Sequence, residues 1–228
     1  MSVIATMTQH YSNVVKREFG PEWGYAKQKV TFNGAAATLQ IGAVLGSYIA
    51  SPTITAGAVV GTGNGTVGTI SATSTRFLQL GVYTVKFLTA TTFQVNDTFG
   101  ALIGTGATGT AFSQNGLTFT ITAGGTAFVA GDTIPLTVSG TVKYKLVEAT
   151  ATDGSQIARV VMVGDAQGRP MPTTTTANTD VTMLVIYRGP VAVQDIGLSY
   201  GASVTAGALT TAAQNQLIAA GIDVLTGL

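Results

Sequence analysis

The sequence predicts a mainly β protein with one C-terminal helix. Three observations carry this. Short runs of β-branched and aromatic residues recur at roughly 10-residue spacing with Gly, Asn and Asp between them, the pattern of sandwiches and barrels. Two stronger apolar runs, IARVVMVGDA and TDVTMLVIYRGPVAV, lie between residues 156 and 193. Both are rich in Val, Ile and Met over about the length of a strand, as in strands buried on both faces, and they are the expected core. Only TAGALTTAAQNQLIAAGIDVL reads as helix.

Taken in order, residues 1–28 stand apart. The segment VVKREFGPEWGYAKQK holds Lys16, Arg17, Glu18, Glu22, Lys27 and Lys29, together with Phe19, Tyr25 and Trp23, the only tryptophan. Gly20-Pro21 and Gly24 interrupt any continuous helix. Mixed charge without periodicity predicts an extended arm, and its large aromatics are suited to anchor it in an interface. Deleting residues 1–28 is then expected to leave the fold intact.

Residues 29–50 give β-type runs at Val30–Phe32 and Val44–Ile49, separated by Gly42 and by Asn33-Gly34, a tight-turn signal. Residues 51–140 hold only Arg76, Lys86, Asp97 and Asp132 as charges. Turn signals recur there at Gly61–Gly65, Asn96-Asp97, Asn115-Gly116, Gly124-Gly125 and Gly131-Asp132, between the runs VYTVKF, TFQV, LTFTIT and TIPLTV. This predicts an inserted, sandwich-like β-subdomain. Pro135, inside the last run, has no N–H to give a ladder, which predicts an edge strand.

After the insert, VKYKLVEAT and the Asp153-Gly154 turn lead into the two core runs, which the polar connector GRPMPTTTTAN joins. Arg188-Gly189-Pro190 then turns the chain into VAV. In the helix, Thr211 and Gln214 have capping-box spacing. Ala213, Leu217, Ile218 and Ala220 can face the core, and Gly221 is placed to end the helix. Ile222–Leu225 is a candidate last strand.

Composition narrows the chemistry. A chain of 228 residues can bury one large or two smaller cores. It has no cysteine, which removes disulfides, thiolate nucleophiles and Cys-based zinc sites. With 9% charged residues and a net charge of +1, it lacks the basic patch that phosphate neutralisation requires, so no nucleic-acid partner is expected. The mean hydropathy is +0.40, yet Gly, Thr, Ser and Pro interrupt every long uncharged stretch, and no membrane span is expected. The N-terminal MSVIATMTQHYSN lacks a basic region followed by an apolar one, so a secretory signal is not expected either. So little charge predicts a surface partly covered by other subunits.

No reactive constellation emerges, and neither an enzyme nor a cofactor or metal site is expected. Gly104, Gly106 and Gly109 spell G-x-G-x-x-G, but a dinucleotide site needs a helix next, and TAFSQNGLTFT is β-like. His10 is the sole histidine, with no Ser or carboxylate close in sequence. Asp97, Asp132, Glu148, Asp153, Asp165, Asp180, Asp195 and Asp223 are scattered, mostly at turns where Asp caps backbone, and no pair is spaced for acid–base work. Asn64-Gly-Thr66 and Asn96-Asp-Thr98 fit the glycosylation acceptor pattern, common by chance in a Thr-rich chain.

Several of these pieces together resemble a known family. KVTFNGAAATLQIGAVLG, KYKLVEATATDGSQIARVVMVGDA, VIYRGPVAV and LTTAAQNQLIAAGIDVL, in that order, are similar to lambda-type phage head decoration proteins, also called capsid cement proteins. The resemblance covers roughly residues 14–50 and 141–225; the 51–140 insert departs from the small family core and resembles β-insertions of larger decoration proteins.

The resemblance implies a β-barrel or β-tulip-like core over 29–50 and 141–228, an inserted subdomain over 51–140, and an arm over 1–28. It implies a homotrimer on the outer surface of an icosahedral capsid, at three-fold and quasi-three-fold positions, made in the host cytoplasm. The arm would lie on the major capsid protein, with Val14, Val15, Phe19, Trp23 and Tyr25 as candidate contacts. Two other readings compete. In a carbohydrate-binding or adhesive module, the insert would meet host-surface glycans through exposed Tyr83, Phe93 or Phe112. A tail-tube or baseplate subunit would form rings or hexamers.

Overall fold

A computed structural model describes residues 10–18 and 26–226 of the chain. The fold is mainly β and divides into two compact units, one of residues 1–48 with 142–228, the other Ile49–Thr141.

The first unit contains a short helix α1 (Tyr11–Val14) and strands β1 (Val15–Glu18), β2 (Lys27–Phe32), β3 (Ala37–Leu39) and the start of β4 (Val44–Ala56). The second carries the rest of β4, β5 (Thr66–Val67), β6 (Ser71–Ala72), β7 (Gly81–Phe87), β8 (Thr92–Asn96), β9 (Leu102–Ala107), β10 (Ala111–Gln114), β11 (Leu117–Thr122) and β12 (Thr133–Leu146) as far as Thr141. The chain returns to the first unit for β13 (Ala158–Gly164), β14 (Thr173–Thr175), β15 (Val181–Ile186), β16 (Val191–Gln194), helix α2 (Ala208–Ala219) and β17 (Ile222–Leu225).

In the first unit the order β2–β15–β13–β4–β12 closes on itself, because β12 also pairs with β2 at Tyr144 and Phe32. The result is a five-stranded barrel. Alternation explains why its central strands read as continuous apolar runs. Val160 and Met162 of β13 join Val30, Phe32, Leu45, Met183 and Val185 in one buried cluster, to which all five strands contribute. Val161 and Val163 point the other way, into a second cluster with Val44, Ile186, Val193 and Leu217. There the barrel wall is covered by α2 and by the sheet β1–β16–β17. With both faces dry, every position between Val160 and Val163 must be apolar.

In the second unit, β12–β7–β8–β9 forms one sheet and β10–β11–β5, with β6, another. Their inward side chains share one aromatic-rich cluster, with Phe87 stacked on Phe128 at 3.7 Å and Phe93 beside Phe112 and Phe119. The β10–β11 hairpin uses Asn115-Gly116 as its two-residue loop, both at positive φ (48° and 81°). That is the type I′ geometry for which Asn-Gly is selected.

Several elements differ from the sequence reading. Asn33-Gly34 makes no hairpin: β2 pairs with β15, while β3 pairs with β14, a strand inside the polar connector. Pro135 is not on an outer edge, since β7 pairs along it at Thr84. Its carbonyl accepts the Gly57 N–H at 2.8 Å, and a residue's N and C=O point to the same side of a strand. The missing N–H therefore faces the irregular stretch beyond the end of β4, where no ladder needs it. Thr211 and Gln214 form no capping box; the helix starts three residues earlier, and the Thr211 hydroxyl donates to the Gly207 carbonyl one turn back. Ala213 and Leu217 are buried, but Ile218 is exposed. Gly221, at φ 83°, ends the helix with its N–H on the Ile218 carbonyl.

Candidate interaction surfaces

The described part of the expected arm belongs to the first unit. Val14 and Val15 are buried, 0% and 7% exposed, and β1 pairs antiparallel with β16. Tyr11 Oη donates to Glu18 Oε2 at 2.6 Å and Lys27 Nζ meets the same oxygen at 2.9 Å, which ties α1 and β1 to the start of β2. Burial, then Glu18, push the Tyr11 phenol well above its usual range. Val14 and Val15 are thus not available to a capsid: packing inside the chain's own core takes their side chains. For the same reason the 1–28 deletion would remove core. Phe19, Trp23 and Tyr25 lie outside the described residues.

The carboxylates mostly hold loops. Asp132 accepts N–H bonds from Thr62, Gly63 and Val129 at 2.9–3.0 Å, and those from Val129 and Thr62 lead in holding its carboxyl below the usual range. Asp97 Oδ1 takes the N–H groups of Phe99 and Ala101. Glu148 takes those of Ala202 and Ser203 as well as the Ser203 hydroxyl. Asp165 caps the 165–169 loop and pairs with Arg169. His10 is exposed.

The densest polar cluster surrounds Tyr48 on the barrel. Lys145 Nζ sits 4.0 Å over the Tyr48 ring and 2.7 Å from Asp153 Oδ2, and Ser155 Oγ donates to Asp153 Oδ1. Tyr48 Oη donates to the Asn33 carbonyl, while Asp180 Oδ1 accepts from Asn33 Nδ2 and Lys143 Nζ at 2.6 and 2.7 Å. Burial raises the Asp153 carboxyl, but the bonds from Lys145 and Ser155 outweigh it and leave it low; Lys143 lowers Asp180. Two lysines balance two carboxylates, so the cluster clamps strands and loops together and leaves little net charge. Beside it lies a cavity of about 620 Å³ with apolar walls from Phe32, Leu39, Leu146 and Ala177.

Gly104 and Gly106 lie in β9 and Gly109 in the turn to β10, so a strand follows where a dinucleotide site needs a helix. A Cβ on Gly106 would come within 2.6 Å of the Phe93 ring and one on Gly104 within 3.1 Å of the Phe112 ring, so these two make room for phenylalanines, while Gly109 serves its turn at φ 76°. Among the described residues no three His, Cys, Asp or Glu side chains gather as metal ligands. Nor is any described helix long and apolar enough to cross a membrane.

The aromatics named for glycan binding are inside: Tyr83, Phe93 and Phe112 are 1%, 0% and 3% exposed. The exposed apolar side chains of the second unit are others, among them Phe77, Leu80, Val82, Phe99 and Leu102. Phe99 was legible in principle. It follows a turn-forming Asp97 by two residues and precedes Gly100, a place at a turn tip and not in a strand.

No family model and no curated protein matches the chain. FlgL of Xanthomonas campestris, in two crystal forms, is similar over part of it. One form is 26% identical with a TM-score of 0.33, over 45% of this chain and 33% of that one. The other is 21% identical with a TM-score of 0.30, over 48% and 32%. The chain thus spans about a third of the length of those it matches.

Proposed function

We propose that this chain is a structural decoration protein of an icosahedral phage head, seated as a homotrimer on the major capsid protein at three-fold and quasi-three-fold positions of the outer surface. One observation supports the reading above others. The two stretches that resemble the decoration family, 14–50 and 141–225, are far apart in sequence, yet almost all of both falls in the barrel unit, while the intervening residues form a unit of their own. A scaffold whose carboxylates are spent on its own loops suits a clamp that bears load. Since Val14 and Val15 serve the core, the proposed capsid contact narrows to Phe19, Trp23 and Tyr25. Three such contacts on one trimer bind together, so modest single affinities sum to lasting attachment.

The test is light scattering of the purified protein, then sedimentation with expanded, undecorated heads. A trimer that co-sediments supports the reading, and Trp23, the sole tryptophan, should shift its emission on binding. Triple replacement of Phe19, Trp23 and Tyr25 by Ala should leave the fold and abolish co-sedimentation. A hexameric ring that ignores heads would move the weight to a tail-tube or baseplate subunit.

A further inference from the structure

A sheet ends where its last strand lacks a neighbour, and that edge presents a row of N–H and C=O groups ready to accept another strand. In the large sheet one end is closed, since β2 returns to pair with β12; among the described residues β9 is its open end. β9 is six residues long and pairs with β8 alone, regularly from Gly104 to Ala107 with a bulge only at Ile103.

The other described edges are short or guarded: the end of β4 past Gly46, where β13 no longer pairs, carries Pro52. β3 and β14 have three residues each, β5 two and β10 four. β1 presents exposed Lys16 and Arg17, and β17 exposed Asp223. Edge charges of this kind block pairing, because a symmetric contact brings like charges together. β9 has no such guard: from Thr98 to Gly131 the chain contains no Lys, Arg, Asp, Glu or Pro. At its start Phe99 is 86% and Leu102 60% exposed. The turn presenting them is held firmly, by the two N–H bonds to Asp97 and by Asn96 Nδ2 on the Gly100 carbonyl at 2.7 Å.

The geometry points to β9 as the surface on which a second copy of this chain adds its own β9, antiparallel, about a two-fold axis. The unmet groups are backbone, so the occupant is an extended strand. The edge offers no charge to recognise, so that strand is uncharged, and its flanks must cover apolar side chains. Leu102–Ala107 meets each condition itself. Thr105 and Ala107 turn their N–H and C=O away from β8, because the Thr108 N–H bonds the Thr91 carbonyl and the ladder alternates from there. Paired antiparallel about a two-fold at Thr105, Thr105 faces Thr105 of the second copy and Ile103 faces Ala107, with no like charges opposed. This contact is independent of the decoration reading, since a two-fold contact in the Ile49–Thr141 unit and a three-fold one elsewhere can coexist.

Sedimentation equilibrium of the whole chain tests it, comparing the wild type with Leu102→Lys/Thr105→Lys at equal concentration. Both side chains are exposed, so lysine there displaces no packed atom, and near-UV circular dichroism checks the fold. The wild-type particle should have twice the mass of the variant, whether the unit being doubled is one chain or three. Equal masses overturn the proposal, whatever state the two share. If the double variant does not fold, Thr105→Lys alone repeats the comparison with the same two outcomes.

Discussion

Val14 is packed so closely that a methyl group added at Gly197 would come within 3.0 Å of its Cγ2. Its burial is complete, and truncation to Ala should cost about 2 kcal/mol, read as a lower urea midpoint at unchanged slope. An arm residue facing solvent would show no change. Asp132 makes a prediction about pH. Backbone N–H groups of Val129, Thr62 and Gly63 favour its ionised form, so its folded value lies below the ordinary one near 3.9. That contribution is fully present above about pH 4 and is lost as pH falls through the depressed folded value. Urea midpoints measured from pH 6 down to pH 2 should therefore fall on the acid side, and Asp132→Asn should flatten that fall while lowering stability at pH 6.

Helix α2 presents two neighbouring residues with opposite fates. Leu217 is fully buried against the barrel wall and Ile218 is 47% exposed. Leu217→Ala should cost about 2–5 kcal/mol, and Ile218→Lys should stay within about 0.5 kcal/mol, both by urea unfolding. The sequence reading put both residues inside, but at 100° per residue Ile218 lies about 140° around the helix from Ala213, off the buried stripe that Ala213 shares with Leu217; apolarity alone does not give a residue its face. The same limit explains what was legible among the strands. β13 and β15 declare themselves through length and unbroken apolarity. β3 and β14 are three residues each, and Thr173–Thr175 becomes a strand only because Ala37–Leu39 lies beside it, a pairing no local pattern contains. Val14 and Val15 were obscured by the charges that follow them. Tyr83 was not obscured: it alternates with Val85 and Phe87 in VYTVKF, and that period already placed it inward.

The two units have separate cores, and each is large enough to be tested alone. The barrel unit closes its ring with residues from before Tyr48 and after Val142, and its buried clusters contain nothing from the intervening segment. At the junction the chain leaves and returns at nearly the same place. A Cβ built on Gly140 would lie 3.2 Å from the Ala50 carbonyl oxygen, so a short turn can bridge from Ala50 to Thr141. Asn-Gly is the suitable choice, because it supplies the positive φ values a two-residue antiparallel loop needs. A chain in which Asn-Gly replaces residues 51–140 should fold, with dispersed amide resonances and a single cooperative urea transition. Ile49–Thr141 expressed alone should do the same around its phenylalanine cluster. If capsid attachment resides in the barrel unit, the shortened chain should still co-sediment with undecorated heads. A shortened chain that folds but fails to bind would assign attachment to the insert.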